Sequence, residues 1–354
     1  QQGIFPDKLK ISKIYPKYKK GPRTETNSYR PISLIPTFSK VIEKIVLEQL
    51  LHYLNQNKLL TNQQHGFLKG KSTATAIIQL VEHIIDMLEE GHMVTSLFLD
   101  FSKAFDCISH TCLIEKLKAL GINGQSAKWF LSYLSDRKQL IELRHTVNNS
   151  SERVQSDLLE VKRGVPQGSV LGPILFILLT NDLPTYLQGP CHTVMYADDT
   201  VITLAENDSE SLTTNTERAL NRTKEYCAPN NLVLNVDKTV QIIFNTRLKN
   251  TETSVGRLHE YKTNTKYLGV TIDTDLSWKT HIDLLCRKIS SGAFLIRRLR
   301  QISTPEAAKT AYYAFLETHL RFGIATWGGT SATNLDRVLI QQKKAIRSLA
   351  GLEQ

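Results

Sequence analysis

The stretch Thr193-Val194-Met195-Tyr196-Ala197-Asp198-Asp199-Thr200-Val201-Ile202-Thr203-Leu204 decides how this chain is read. Its apolar runs, Val194–Tyr196 and Val201–Leu204, flank Ala197, Asp198, Asp199 and Thr200, as two strands joined by a tight turn would. Adjacent aspartates at such a turn repel one another, and in a partly desolvated site that repulsion is costly unless a cation neutralises it. Aspartates are also ordinary turn formers. The pair alone therefore leaves metal binding and plain turn chemistry both open.

A second acid lies upstream. Val94 to Asp100 reads as a buried strand, Thr95-Ser96-Leu97-Phe98-Leu99 giving way to the carboxylate of Asp100 at its end. Phosphoryl transfer needs carboxylates from separate strands to converge on two Mg²⁺ ions about 3.5–4 Å apart. A strand-end aspartate together with a hairpin aspartate pair is an arrangement that would supply such a site.

Around these acids the pattern is mixed. Residues 39–54 and 73–90 have helical periodicity, the first placing Ile42, Ile45, Val46 and Leu50 on one face, the second Ile77, Val81, Ile84, Ile85 and Leu88. A helical region is expected over residues 111–134. A tight loop at Gly164–Gly168 precedes an apolar helix with Leu175, Phe176, Leu178 and Leu179. Beyond the hairpin come a helix over 210–227, a strand pair at Leu232–Asn235 and Val240–Phe244, and a strand at Tyr267–Ile272. From about Thr280 the chain turns helical and basic, with Arg287, Lys288, Arg297, Arg298 and Arg300. Strands and helices interleave without strict βαβ alternation, which predicts an α+β fold. The first thirty or so residues, rich in lysine, read as a basic coil or a nucleic-acid arm.

Composition adds bounds. The 354 residues can bury a substantial core, and Lys+Arg 44 against Asp+Glu 34 gives a net charge of +10. Such an excess suits a polyanionic partner, whose condensed counterions are released on binding; a basic protein with no nucleic-acid role would carry the same charge. The five cysteines are scattered with no C-x-x-C pair. That speaks against a zinc site or a disulfide framework and favours an intracellular setting. No apolar run approaches the roughly 18–20 residues that span a bilayer, so no membrane is expected. With neither a signal-peptide pattern nor an initiator Met, the sequence fits a piece of a longer polyprotein.

Read in order, several segments resemble the polymerase motifs of reverse transcriptases, most closely those of non-LTR (LINE-type) retrotransposons of the jockey and CR1 kind. They are Tyr29-Arg30-Pro31-Ile32-Ser33-Leu34, Gln64-His65-Gly66-Phe67 with Lys69-Gly70-Lys71-Ser72-Thr73, and Leu99-Asp100-Phe101-Ser102-Lys103-Ala104-Phe105-Asp106. Arg163-Gly164-Val165-Pro166-Gln167-Gly168-Ser169-Val170-Leu171-Gly172-Pro173 follows, then Tyr196-Ala197-Asp198-Asp199, Leu234-Asn235-Val236-Asp237-Lys238-Thr239 and Tyr267-Leu268-Gly269-Val270. Nothing resembles an endonuclease, a ribonuclease H or a zinc knuckle.

The resemblance implies a right-hand polymerase: residues 1–28 a basic extension, 29–92 fingers, 93–275 a palm with inserted fingers elements, and 276–354 a helical thumb with its continuation. It implies RNA-directed DNA polymerase activity in a mobile element, with an RNA template, a DNA primer and dNTPs as partners. It also implies two Mg²⁺ ions, for which Mn²⁺ could substitute, and action in the nucleus after synthesis in the cytoplasm. Asp100, Asp198 and Asp199 would be the catalytic metal ligands, and Phe105 would clash with a ribose 2′-hydroxyl. Gln167 and Gly168 would touch the template and the nascent pair, and Arg30, Lys69 and Lys71 would grip the triphosphate. Many relatives have arginine where Lys69 stands, and lysine lacks the bidentate fork. Lys238 would lie near the pyrophosphate, and Tyr267, Leu268 and Gly269 would form a hairpin holding the primer end. Asp106 is expected to cap the following helix, and Trp327 to pack rather than stack on a base.

Two other readings share parts of this pattern. A decayed element could hold nucleic acid without polymerising, yet all three carboxylates and Phe105 are present. An RNA-dependent RNA polymerase would share the acids, and Phe105 argues against it.

Overall fold

The computed structural model describes residues 2–102, 104–147, 150–187, 189, 191–244 and 260–352. The chain opens with strands β1 (Ile11–Tyr18) and β2 (Tyr29–Leu34), followed by helices α1 (Thr37–Gln56) and α2 (Thr73–Glu89). Strand β3 (Met93–Leu99) leads to α3 (His110–Ala119), α4 (Gly124–Leu134), β4 (Arg137–Val147), β5 (Ser150–Gln155) and β6 (Leu159–Val161). Next come α5 (Gly172–Thr180), α6 (Leu183–Leu187), β7 (Cys191–Tyr196), β8 (Asp199–Glu206) and α7 (Ser209–Cys227). Strands β9 (Val240–Phe244), β10 (Glu260–Tyr261), β11 (Asn264–Tyr267) and β12 (Val270–Asp273) complete the sheets. Helices α8 (Lys279–Ile302), α9 (Pro305–Tyr312), α10 (Thr318–Arg321), α11 (Ile324–Trp327) and α12 (Ala332–Ala350) form the end, with a π turn at Tyr313–Glu317.

The central sheet runs β10-β9-β3-β8-β7. Its strands are apolar on both faces because both faces are covered. Leu97, Leu99, Met195, Ile202, Leu204 and Ile243 point into one core with α1, α3, α4, α5 and α7. Val94, Phe98, Val194, Val201, Val240, Ile242 and Phe244 point into a second core shared with α2 and the C-terminal helices. Period-two alternation thus sends neighbouring residues of one strand into different cores. A second sheet, β2-β1-β4-β5 with β6 on β4, stands to one side, and β11 and β12 form a hairpin of their own.

Several expectations change. Residues 11–18 are a strand rather than coil: Ser12 and Ile14 are buried while Ile11, Lys13 and Tyr15 face out, so lysines on the outer positions disguise the alternation. The helix expected over 111–134 is two, broken where Gly121 takes φ +86°. Asp106 caps neither of them; Ser109 does so for α3, its hydroxyl accepting from the Cys112 amide. Leu232–Asn235 is not a strand, and meets the end of the β3 segment through a single bridge, Phe101 to Leu234. The strand expected at 267–272 turns back at Leu268 (φ +43°) and Gly269 (φ +96°), giving the β11–β12 hairpin. On α1, Ile45 is exposed and Glu43 is buried instead.

Candidate active site

The acids are brought together by strand register. In the β3–β8 ladder the last pair is Leu99 with Thr200, so Asp100 and Asp199 are the next residue on each strand, side by side at the sheet end. In the β7–β8 hairpin Tyr196 pairs with Asp199, leaving only Ala197 and Asp198 as the loop. Asp199 and Thr200 belong to β8, so the turn is tighter than the four residues the sequence suggests. Ala197 has φ +56° whereas Asp198 does not go positive, the pattern of a type II′ hairpin turn. Glycine usually holds that place, and an alanine there stores on the order of 1–3 kcal/mol.

Gln64, just before α2, braces the turn. Its side-chain oxygen accepts from the Ala197 amide at 3.0 Å and from the Gly66 amide at 2.8 Å. Around it the backbone runs beside β7, with the His65 amide donating to Met195 O at 2.8 Å and the Met195 amide to Gln63 O at 2.9 Å. His65 is pinned to α2 through Thr75 Oγ1 (2.8 Å) and Gln79 Oε1 (2.6 Å), and burial holds its pKa below the usual histidine range.

Like charges crowd this end of the sheet. Asp198 is pushed above the ordinary aspartate range by burial and by Asp100, with Arg30 and Lys19 opposing. Asp199, still open to the cleft, is pushed up to about 6 by the protein packed round it and by Asp198 and Asp100. The Asp100 backbone carbonyl accepts from the Asn235 amide at 2.8 Å, and Lys238 Nζ stands 3.8 Å from its Oδ2 with both side chains well exposed. An ion pair that open adds little stability; it places a cation beside the acids.

Among the described residues no three His, Cys, Asp or Glu side chains close into a ready-made cage. Mg²⁺ rarely uses one. It is held by one or two carboxylates while waters and substrate phosphates fill the remaining positions. An all-oxygen donor set of crowded carboxylates suits a hard divalent cation, so these residues fit it.

Phe105 is half-buried, its ring 5.1 Å from that of Phe176. Asp106 is engaged with the Pro166-Gln167-Gly168 loop: Gln167 Nε2 donates to both carboxylate oxygens, at 2.8 and 2.9 Å. Gly164 and Val165 amides donate to Ile108 O and Phe105 O, and the Ser33 amide to Gln167 O at 2.7 Å. Gly168, at φ +125°, is an exposed residue where a Cβ would fall 2.8 Å from Ser33 O, so only glycine fits between the loop and β2.

Arg30 on β2 and Lys69 in the loop before α2 are exposed. Lys71 is tethered, its ammonium donating to Asn62 O. Tyr267 is buried edge-on to Phe98 at 5.5 Å, and Gly269 lies against the Phe322 ring, where a Cβ would come within 2.7 Å. Trp327 is buried and donates to Phe322 O at 2.8 Å. Two residues bearing on the site were given no role from sequence: Gln64 and Lys19. Only Gln64 lay within a recognised motif.

A family model described as reverse transcriptase (RNA-dependent DNA polymerase) matches residues 17–272. The chain belongs to the reverse transcriptase family. Among curated proteins, this reverse transcriptase chain is 28% identical to a probable RNA-directed DNA polymerase from transposon BS of Drosophila melanogaster, over 98% of the chain and 39% of that protein. It is 27% identical to the RNA-directed DNA polymerase from mobile element jockey of the same organism, over 99% of the chain and 38% of that protein. The chain thus spans well under half the length of these relatives. Among solved structures, apo telomerase from Candida tropicalis superposes with a TM-score of 0.52 at 12% identity, covering 97% of this chain and 63% of that one. The likeness shows a right-hand polymerase fold. No helix among the described residues is long and apolar enough to cross a membrane.

Proposed function

We propose that this chain is the polymerase core of a non-LTR retrotransposon reverse transcriptase, adding deoxynucleotides to a DNA primer 3′-hydroxyl on an RNA template. The observation that carries the reading is the register that sets Asp100 next to the Asp198-Asp199 hairpin. Asp100, Asp198 and Asp199 would hold two Mg²⁺ ions, or Mn²⁺ in their place. Bound there, the metals would acidify the primer hydroxyl and stabilise the leaving pyrophosphate.

The chain's own side chains do the rest. Phe105, backed by Phe176, is the floor on which a ribose 2′-hydroxyl would clash. Arg30 and Lys69 offer exposed charge to the triphosphate, and Lys238 beside Asp100 offers a proton donor to the pyrophosphate. Lys71 supports the loop that carries Lys69 through its bond to Asn62. Gln167, aligned by Asp106, and Gly168 present backbone and amide to the template base pair. The β11–β12 turn at Tyr267, Leu268 and Gly269 receives the primer end. Residues 29–92 would act as fingers, 93–275 as a palm with inserted fingers elements and 276–354 as a helical thumb with its continuation; the pairing of β1 with β2 supports counting residues 11–18 with the fingers. The working site is the nucleus, after synthesis in the cytoplasm.

The test is primer extension on an RNA template with Mg²⁺. Wild type is expected to incorporate dNTPs, and Asp198→Ala to incorporate none; retained activity in that variant refutes the assignment. Phe105→Ala is expected to raise ribonucleotide incorporation relative to dNTP by about tenfold or more, equivalent to ~1.4 kcal/mol of lost discrimination.

A further inference from the structure

We propose that Gln64 is a positioning residue for nucleotide addition: its carboxamide oxygen takes the amide protons of Gly66 and Ala197 together and so holds the Ala197-Asp198 turn in the shape that receives metal. The inference rests on the role of Asp100, Asp198 and Asp199 argued above and deepens it.

The turn needs a clamp. Its two residues lie outside the β7–β8 ladder, Ala197 is held at φ +56°, and the adjacent acids Asp198 and Asp199 stand beside Asp100 and repel it and one another. Left to itself, a hairpin under that load relieves it by swinging its carboxylates apart into solvent. Among the described residues, the amide of Ala197 is the handle in the loop that a neighbouring segment grips, at 3.0 Å from Gln64 Oε1.

Gln64 is built to grip it. The residue is 1% exposed and its backbone is locked against Met195 on β7, two residues before Ala197. Gly66 lets the two segments close, since a Cβ there would lie 2.5 Å from the Ala197 nitrogen. The other end of the carboxamide is telling. Gln64 Nε2 is buried with no hydrogen-bond partner among the described residues, an arrangement that costs stability. A leucine would fill the same space without that cost, so the acceptor oxygen is what the site requires. Gln64 works through the turn that carries the acids.

Metal binding tests this directly. Mn²⁺ affinity is measured by electron paramagnetic resonance with template–primer bound, beside the Mg²⁺ dependence of single-nucleotide extension. Gln64→Leu removes the acceptor, and Gly66→Ala drives a methyl group against Ala197. Each is expected to weaken Mn²⁺ binding and to raise the Mg²⁺ level for half-maximal rate roughly tenfold, the size of losing the hydrogen bond that reaches the Ala197 amide. Template–primer affinity stays unchanged. Gln64→Glu keeps an acceptor oxygen at the same reach and is expected to bind Mn²⁺ close to wild type.

An unaltered metal dependence in Gln64→Leu, or a rate loss equal at every metal concentration, overturns the proposal. If Gln64→Leu fails to fold, Gly66→Ala and Gln64→Glu decide it by the same two readouts. Failure of the underlying catalytic reading looks different: wild type then extends no primer, or Asp198→Asn keeps its full Mn²⁺ affinity.

Discussion

Asp199 is held above the ordinary aspartate range by burial and by Asp198 and Asp100. An acid whose folded pKa lies above its unfolded value, here about 6 against 3.8, binds its proton more tightly in the native state. Stability therefore falls as pH rises through that window, and the full penalty stands above it. Asp199→Asn removes the ionisation. In metal-free buffer the variant is expected to match wild type near pH 4 and to melt at higher temperature than wild type at pH 7, with Mg²⁺ narrowing the gap by neutralising the wild-type acids. Thermal melts at the two pH values check this, and a gap of equal size at both would refute it. The three aspartates were legible in sequence because carboxylates at the ends of apolar strands are conspicuous. Gln64 and Asp106 were not. One acts through a single carbonyl oxygen on a distant amide, and the other serves a loop some sixty residues away, Gln167, so neither leaves a periodic or compositional trace.

At the level of elements, long periodic segments were readable and their interruptions were not. Helices α1, α2 and α7 and strands β3, β8 and β9 fall where apolar spacing puts them. Strand β1 was hidden by lysines on its outward positions, and the β11–β12 turn by a leucine forced to positive φ. Most hidden was Glu43, an acid buried within α1. Its Oε2 accepts from the Val170 and Leu171 amides at 2.8 and 3.2 Å, and its Oε1 from Ser39 Oγ at 2.8 Å. The Leu171 amide is an orphan donor at the N-cap of α5 and the Val170 amide lies just ahead of it, where a negative charge also meets the positive end of the helix dipole. Glu43→Ala is expected to cost about 3 kcal/mol, since charge-assisted bonds are lost and buried amides are left unpaired. Glu43→Gln, which keeps an acceptor, is expected to lose less than half as much. Urea titrations of the pair measure both; equal losses would mean that packing rather than the cap is at stake.

For the whole molecule the deciding feature is that the central sheet has no solvent face. One side packs on α1, α3, α4, α5 and α7, while the other shares a core with α2 and the C-terminal helices. The C-terminal helices are therefore not a bead on a linker. Trp327 lies at 2% exposure in that second core, its indole bonded to Phe322 O, and Phe322 in turn abuts Gly269 of the β11–β12 turn. Truncating such a residue removes its burial and leaves a cavity, so Trp327→Ala is expected to cost about 3–5 kcal/mol. Because the core is continuous from Val94 on β3 through Trp278 to Val338 on α12, that loss should fall on the central sheet and the C-terminal helices together. Calorimetry is expected to show one transition in wild type, moved as a whole to lower temperature in the variant. Two transitions, with only one displaced, would show that the C-terminal helices unfold independently, and the shared core would then be an interface between separate units.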